Sequence, residues 1–219
     1  MLFRPRDVVS GDFYWFTQKN EKRYIAAADC TGHGVPGAFM SMIGNMLLNE
    51  VVNEKGVSST SEILFRLREG VIRSLKQTGA EGESKDGMGI ALCCIDPERS
   101  ILEFSGANNP LYHIRNGMLT EIKADKQPIG IYFADLKPYT SHTVALEKGD
   151  CIYILTDGYA DQFGGPEGKK FKYKQLQRVL LKHCGLGMKE QGEELLKEFK
   201  RWKGALEQID DVLIIGIRV

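Results

Sequence analysis

The order of strand-like and helix-like segments predicts an α+β protein, a sandwich in which helices cover antiparallel β-sheets. Two strands come first, followed by two helices, a series of short strands, two more helices and a last strand. The pair Asn116-Gly117 between two short apolar runs is a strong β-hairpin signal and favours antiparallel pairing. With 219 residues the chain is long enough to bury the core of one domain.

The first two strands are predicted to form a β-hairpin. Apolar-rich runs at 8–17 and 23–28 flank a polar tip. A bend at Ser10-Gly11 would bring Asp12 and Asp29 to the same end of this hairpin, whereas a straight strand would place them at opposite ends. We favour the bent arrangement.

Two helices are predicted to follow the hairpin. The first runs from Pro36 to about Glu54 and is closed by Gly56. Its small residues predict close packing against a neighbour, and they are Gly37, Ala38, Ser41, Gly44 and Asn45. The pattern Ser59-x-x-Glu62 is a capping box, which opens a second helix over 62–77.

The rest of the chain alternates between short strands and helices. The glycine-rich stretch 79–87 is predicted to be an exposed loop. Strands are predicted at 88–95, 101–105, 111–115, 118–122, 139–146, 151–155 and 212–219. A glycine- and lysine-rich stretch covers 163–172, and helices are predicted at 176–182 and 192–202.

Composition excludes several classes of function. The 29 basic and 29 acidic residues balance, so neither nucleic acid nor an anionic membrane surface is indicated as a partner. Five cysteines without a C-x-x-C pair predict reduced, packed thiols and a cytoplasmic protein. Residues 1–6 lack the hydrophobic stretch of a signal peptide, and no apolar run approaches the length of a membrane span, so neither is predicted. Its abrupt start suggests that residues 1–219 are one domain, the output domain of a longer signalling protein.

Acidic residues recur where strand-like runs end. Asp29 follows a run of small residues and precedes a glycine-bracketed turn, and Asp157 precedes Gly158. Asp12 follows Gly11, and the pair Asp210-Asp211 precedes the last apolar run. Oxygen ligands from several strands suit hard cations such as Mg²⁺ or Mn²⁺. Taken one at a time, an aspartate beside a glycine is equally typical of an ordinary turn.

Other site chemistries find no support in the sequence. The four histidines and five cysteines lack zinc-ligand spacing. Neither a G-x-S-x-G elbow nor a Cys-His signature of a cysteine-dependent enzyme is present.

Six motifs in a fixed order resemble those of one family. They are Val9-Ser10-Gly11-Asp12-Phe13-Tyr14-Trp15, Asp29-Cys30-Thr31-Gly32-His33-Gly34-Val35-Pro36-Gly37, Gly106-Ala107-Asn108-Asn109-Pro110, Pro128-Ile129-Gly130, Leu155-Thr156-Asp157-Gly158 and Asp210-Asp211-Val212. The chain resembles the SpoIIE/RsbU-type serine phosphatases, bacterial members of the PPM (type 2C) metal-dependent protein phosphatases. The resemblance implies a sandwich of two antiparallel β-sheets flanked by helix pairs, with a two-metal site at one end.

The resemblance also implies the site residues. Asp29 is expected to bridge two ions, either Mn²⁺ or Mg²⁺, and Asp29 and Asp157 are the expected catalytic residues. The expected metal ligands are Asp12, Asp29, the carbonyl group of Cys30, Asp157 and Asp210, with Asp211 as the second choice for the last position.

Three positions depart from the pattern of relatives. Gly89 stands where relatives often carry an aspartate, so this strand is expected to contribute no carboxylate. Asn108 falls near a third-metal aspartate of some relatives, which is why two ions are expected. His33 lies four residues after Asp29 rather than two, and both a general-acid role and a turn role stay open for it.

The function implied by the resemblance is hydrolysis of phosphoserine or phosphothreonine on a regulatory protein, by a water molecule that two metal ions activate. The expected partner is a phosphorylated regulator such as an anti-sigma-factor antagonist. Neither nucleic acid nor membrane contact is expected, and a homodimer through the first helix pair is one possibility. The alternatives are a non-catalytic pseudophosphatase that binds a partner and a phosphoesterase for small molecules.

Overall fold

Two stacked antiparallel sheets form the centre of the protein, and helices cover both outer faces. The structure is a computed structural model that describes residues 1–80, 85–132 and 137–219. The predicted α+β sandwich is therefore confirmed. Part of the predicted loop 79–87, namely 81–84, lies outside the described residues.

In chain order the strands are β1 (Leu2–Arg4), β2 (Phe13–Lys19), β3 (Lys22–Cys30), β4 (Met88–Asp96), β5 (Ile101–Ala107), β6 (Leu111–Arg115), β7 (Met118–Ile122), β8 (His142–Ala145), β9 (Cys151–Leu155), β10 (Phe163–Gly164), β11 (Lys169–Lys170) and β12 (Val212–Arg218). The helices are α1 (Gly34–Leu48), α2 (Thr60–Ser74), α3 (Gly158–Asp161), α4 (Tyr173–His183) and α5 (Met188–Lys203).

Each large sheet has five strands. The first sheet has the spatial order β2-β3-β4-β5-β8, and the second has the order β1-β12-β9-β6-β7. Every pairing within them is antiparallel. Helices α1 and α2 pack on the first sheet, whereas α4 and α5 pack on the second. The molecule thus has four layers, helices, sheet, sheet and helices.

The alternation of side chains along each strand divides the core into three parts. In β4, Ile90 and Leu92 belong to the cluster beneath α1 and α2. The residues between them, Ala91 and Cys93, belong to the cluster between the two sheets. A third cluster lies between the second sheet and α4 and α5. A residue's parity along its strand therefore tells which face its side chain lies on.

The N-terminal region differs from the prediction in two ways. The predicted strand 8–17 begins only at Phe13, because the chain bends at Ser10-Gly11. Residues 2–4 form strand β1, which was not predicted from the sequence. It pairs with β12, with Leu2 opposite Ile214. Such a short edge strand lacks the length that periodicity needs.

The predicted capping box at Ser59 and Glu62 is wrong. Glu62 pairs with Arg66 at 2.7 Å. The N-terminus of α2 is capped by Glu103 of β5, whose Oε1 accepts hydrogen bonds from the Thr60 backbone N–H at 2.7 Å and the Ser59 hydroxyl at 3.1 Å. A partly buried carboxylate from the sheet is the stronger cap here, since it accepts from three donors, the Thr60 hydroxyl included, and also anchors the helix to the sheet.

The predicted first helix consists of an α-helical segment followed directly by a π-helical one. Helix α1 ends at Leu48 and continues as a π-helical turn over Asn49–Glu54. Gly56 closes it with a φ of +73°, as predicted. The predicted close packing is present at Gly44, where an added Cβ would lie 2.8 Å from the Phe13 ring and 2.9 Å from the methyl group of Met88.

The C-terminal half follows the prediction with longer helices and a shorter edge strand. The predicted helices 176–182 and 192–202 extend at both ends as α4 and α5. The predicted strand 139–146 narrows to β8, which pairs with β5 at the edge of the sheet. The stretch 163–172 contains the small β10–β11 hairpin. Among the described residues, no helix has the length and hydropathy that crossing a membrane requires.

Candidate metal centre

Asp12 and Asp29 lie side by side at one end of the first sheet. Phe13 pairs with Ala28 in the β2–β3 ladder, so the next positions outward are Asp12 and Asp29. Both carboxylates have the parity of Ala27, which faces the second sheet. The bend favoured from the sequence therefore brings the two side chains together.

The second sheet contributes its acidic residues at the same end. Asp157 follows the last residue of β9, and Asp210-Asp211 precede β12. The two segments are joined where the Thr156 backbone N–H donates to the Leu213 carbonyl at 3.0 Å. A Cβ on Gly158 would collide with the carbonyl oxygen of Asp211. Only glycine permits this approach, so the glycine after Asp157 sets the spacing between the two acidic segments.

Asp12 is held by residues from the second sheet. The Thr156 hydroxyl donates to Oδ2 of Asp12 at 2.5 Å and accepts from the Leu213 backbone N–H at 3.0 Å. Asp211 accepts from the backbone N–H groups of Gly11 at 2.8 Å and Arg6 at 2.7 Å. The two carboxylate oxygens of Asp211 therefore hold the N-terminal segment in place.

Crowding of buried carboxylates raises their pKa values. Burial, followed by the charge of Asp29, raises the pKa of Asp12 to about 9. Burial, followed by the charges of Asp157 and Asp210, raises the pKa of Asp29 to about 8. Burial and Asp210 raise the pKa of Asp157 to about 6. Mutual repulsion of this kind favours the binding of a proton or of a cation.

The pKa of Asp210 is raised chiefly by burial as well. The backbone N–H of Asp211 donates to its Oδ1 at 2.8 Å and acts in the opposite direction, as do the positive charges of His33 and Arg6. The last aspartate of the set is therefore less strongly perturbed than Asp12 or Asp29.

The turn after Asp29 is fixed by contacts with two loops. The Thr31 backbone N–H donates to the Gly87 carbonyl at 3.0 Å, and Gly87 N–H donates back to the Thr31 hydroxyl at 2.8 Å. A Cβ on Gly11 would lie 2.5 Å from the Gly32 carbonyl oxygen. The same Cβ would lie 3.5 Å from the Cys30 carbonyl oxygen, so this carbonyl group faces the segment that precedes Asp12, while the Cys30 side chain packs into the core.

Two further ion pairs lie at the rim of the site. His33 contacts Asp7 at 3.0 Å between Nδ1 and Oδ2, and both side chains are about half exposed. Lys170 of β11 contacts Asp161 at 2.7 Å, and its charge lowers the pKa of Asp157. His33 is the N-cap residue of α1 without a side-chain capping bond, so a purely capping role for its imidazole finds no support.

The donor chemistry of the site fits magnesium or manganese. Carboxylate and carbonyl oxygens are the ligands that these hard cations prefer, and the site has neither a histidine nor a thiolate among its central groups. Among the residues that the structure describes, no three His, Cys, Asp or Glu side chains are grouped closely enough to hold a metal ion as placed. The site therefore has the types of donor that such an ion needs, but among the described residues their side chains are not close enough together to surround one.

Comparison with known families decides the relationship. The sequence profile SpoIIE, described as Stage II sporulation protein E, matches residues 19–219. The chain belongs to the SpoIIE family. Its fold and family make it a PPM-type (PP2C) phosphatase domain of bacterial signalling.

Three solved structures are similar to this SpoIIE-family domain. The SiaA-PP2C domain of Pseudomonas aeruginosa is 30% identical, has a TM-score of 0.89, and the match covers 100% of this chain and 84% of that one. The PP2C phosphatase domain and a regulatory-domain fragment of SpoIIE from Bacillus subtilis are 20% identical, with a TM-score of 0.79 and coverage of 99% and 61%. RsbX in complex with magnesium is 16% identical, with a TM-score of 0.65 and coverage of 98% and 90%. No curated protein matches the sequence.

Sequence reasoning assigned no role to two residues at the centre of this SpoIIE-family domain. Thr156 lies in the motif Leu155-Thr156-Asp157-Gly158. Its hydrogen bond to Asp12 spans 144 positions of the chain, so no local pattern in the sequence indicates it. Asn109 was also part of a motif, and its side chain lies above Gly89, which is paired with Asp29. Its place two residues after a strand and directly before Pro110 is the one signal that marks it in the sequence.

Proposed function

We propose that this SpoIIE-family domain is a divalent-metal-dependent phosphatase for phosphoserine and phosphothreonine on proteins. The observation that carries the proposal is the convergence of Asp12, Asp29, Asp157 and Asp210 from four separate segments at one end of the sandwich. Ionised acidic side chains at one place repel one another, and this repulsion is relieved when they bind either protons or cations.

The proposed ligands for two ions are Asp29, shared between them, the carbonyl group of Cys30, Asp12, Asp157 and Asp210. Asp211 is the weaker candidate, because its oxygens accept hydrogen bonds from the backbone N–H groups of Arg6 and Gly11. RsbX has been solved in complex with magnesium, which supports Mg²⁺ or Mn²⁺ here. When bound, such ions lower the pKa of a coordinated water and neutralise phosphoryl oxygens.

The thiol nearest the site is poorly suited to forming a covalent intermediate, and we propose direct attack by water instead. The thiol nearest the site, Cys30, has its pKa raised by burial and by the charge of Asp29, so it stays protonated and is a poor nucleophile. Thr156 donates to Asp12 and fixes the direction of its carboxylate. The role of Asp29 and Asp157 in this proposal is to hold the ions against the phosphate, with the serine oxygen as the leaving group.

The proposed substrate is a phosphorylated regulatory protein, such as an anti-sigma-factor antagonist. Membership in the SpoIIE family supports this class, and Lys170 on the β10–β11 hairpin, which pairs with Asp161 and whose charge also acts on Asp157, places positive charge beside the proposed site. We also propose that residues 1–219 act as the output domain of a longer cytoplasmic signalling protein. All five cysteines are free, which suits a reducing compartment. A homodimer through α1 and α2 is the proposed assembly.

The test is phosphate release from a panel of phosphoserine and phosphothreonine peptides, with and without Mn²⁺ or Mg²⁺. We expect release only with the metal ion, and loss of at least about 100-fold in Asp29→Asn, as for removal of an essential charge-stabilising group. Release from small phosphate esters but from none of the peptides would favour the small-molecule alternative. A folded protein that binds metal and is inactive on every substrate would favour the pseudophosphatase.

A further inference from the structure

The side-chain amide of Asn109 occupies the place beside Asp29 where a side chain from β4 would stand. Gly89 is the residue directly opposite Asp29 in the β3–β4 ladder. Directly opposite residues of antiparallel strands project to the same face, with Cβ atoms roughly 5 Å apart. A Cβ built on Gly89 would lie 2.8 Å from Oδ1 of Asn109 and 3.2 Å from its Cγ. The amide therefore fills the position of the missing side chain.

Asn109 is buried, with 9% of its surface exposed. Its Nδ2 group has no hydrogen-bond partner among the described residues. It therefore does not donate to the Asp29 carboxylate. Buried amide groups in native proteins are nearly always satisfied, by the protein itself, by a bound water or by a ligand. This unpaired donor belongs to an amide that lies against Gly89, the residue paired with Asp29, so an oxygen atom of a ligand bound beside Asp29 would satisfy it.

The backbone around Asn109 is rigid. Its N–H group donates to the Ala107 carbonyl at 2.8 Å, and Asn108 has a φ of +63°. The Asn108 N–H donates to the Asp125 carbonyl at 2.9 Å. A Cβ on Gly106 would lie 2.6 Å from the Asn109 carbonyl oxygen, so this strand end also packs closely. A donor on such a fixed support needs no reorganisation when a ligand binds.

We propose that Asn109 is a substrate-binding residue whose Nδ2 group donates a hydrogen bond to an oxygen of the substrate's phosphoryl group. This inference rests on the proposed phosphatase function. A neutral amide can donate to a phosphate dianion without charge repulsion, whereas a carboxylate at the same place would repel it. Gly89 makes this arrangement possible, because any side chain at this position would displace the Asn109 amide from its place beside Asp29.

The experiment compares Asn109→Ala, Gly89→Ala and the double variant with the wild type, using a phosphopeptide substrate and inorganic phosphate as a competing product. Loss of one hydrogen bond to a charged group lowers kcat/KM by about 10- to 100-fold and weakens inhibition by phosphate by a similar factor. Because Gly89→Ala acts by moving the same amide, the double variant should lose little more than either single variant. Mn²⁺ affinity, measured by calorimetry without substrate, should change less than about twofold, in contrast to a metal-positioning role.

The matched control is Asn108→Gly, which removes an exposed side chain and keeps the positive φ that glycine accepts. It should behave like the wild type. Unchanged phosphate inhibition in a folded Asn109→Ala protein would overturn the inference and leave the proposed function intact. A parallel loss of Mn²⁺ affinity would also overturn it. If Asn109→Ala does not fold, Gly89→Ala tests the same donor. A wild type inactive with every phosphopeptide would refute both proposals.

Discussion

Thr156 donates a hydrogen bond of 2.5 Å to the carboxylate of Asp12, although 144 positions separate them in the chain. The two side chains come from different sheets, and both are almost fully buried. The same hydroxyl accepts from the Leu213 N–H, and its shortest contact to an acceptor is the one with Asp12, compared with 3.4 Å to the Leu213 carbonyl. This bond connects the two halves of the sandwich at the acidic end and sets the direction of one proposed ligand.

Thr156→Val should lower the affinity for Mn²⁺ by about 10- to 100-fold, the usual effect of losing a group that orients a metal ligand. Valine has nearly the volume of threonine but cannot donate, so Asp12 loses its partner. Thr156→Ser keeps the hydroxyl and should restore most of the affinity. Calorimetric titration of both variants checks this. Equal affinities in the valine and serine variants would contradict an orienting role.

Asp29→Asn should stabilise the domain in the presence of a chelator while it abolishes metal-dependent activity. Burial and the charges of Asp157 and Asp210 oppose ionisation of Asp29, and the amide carries no charge. We expect a gain of about 1 kcal/mol, or roughly 2–4 °C in the melting temperature for a domain of this size. Differential scanning calorimetry at pH 8 with EDTA measures it. A lower melting temperature would mean that the carboxylate has structural partners instead.

Gly158→Ala should be strongly destabilising, because the added Cβ collides with the Asp211 carbonyl oxygen. The backbone of Asp210 and Asp211 must then move, so metal affinity should fall together with stability, the latter by about 1–3 kcal/mol. Urea unfolding and Mn²⁺ titration of the same sample provide the measurement.

The control for this variant is Gly192→Ala on α5, where nothing lies within 4 Å of the added Cβ. Alanine in a helix interior should stabilise the domain by about 0.5–1 kcal/mol and leave Mn²⁺ binding unchanged. Equal effects of the two alanines would argue against a close contact between Gly158 and the Asp211 carbonyl.

Asp150 should contribute stability that depends on pH. Arg115 donates to its two oxygens at 2.9 and 2.6 Å, and this pairing, with the Glu147 N–H, holds the pKa of Asp150 well below its usual range. A carboxylate with a lowered pKa stabilises the folded state above the pKa of the unfolded chain, near 4, and loses that contribution as the pH falls further. Asp150→Asn should therefore cost about 2 kcal/mol at pH 7, less than a fully buried pair because Arg115 is partly exposed.

Urea unfolding at pH 7 and at pH 3 checks this prediction. The difference in free energy between wild type and Asp150→Asn should shrink at the lower pH. Glu62→Gln, which breaks an exposed pair with Arg66, should unfold at the same urea concentration as the wild type at both values. A difference for Asp150→Asn that is constant across the range would show that its ionisation does not matter.

The order of strands and helices could be predicted from the sequence because amphipathic periodicity and turn residues are local. The same holds for Asp29, which directly follows a predicted strand, and for Asp157, which lies two residues after the end of another. Strand β1 could not be predicted, since its three residues carry no periodicity and depend on pairing with β12. The cap of α2 by Glu103 is likewise a contact across 43 positions of the chain.

The same reason explains the gaps in the predicted site. Thr156 and Asn109 act through contacts with segments that are distant in sequence, and neither residue type is diagnostic by itself. Asp210 and Asp211 are adjacent and chemically identical, so sequence alone could only rank them. The structure gives them different surroundings, because the Asp211 carboxylate accepts hydrogen bonds from the backbone of the N-terminal segment, and this supports the proposal of Asp210 as the ligand.

The most direct test of the shared metal site is calorimetric titration of Mn²⁺ into the wild-type chain and into Asp29→Asn. Asp29 is proposed to be common to both ions, so its loss should remove both binding events at once. We predict two Mn²⁺ ions per wild-type chain and neither of these binding events in the variant, with the variant still folded by circular dichroism. Binding of two ions with wild-type affinity to folded Asp29→Asn would contradict the account.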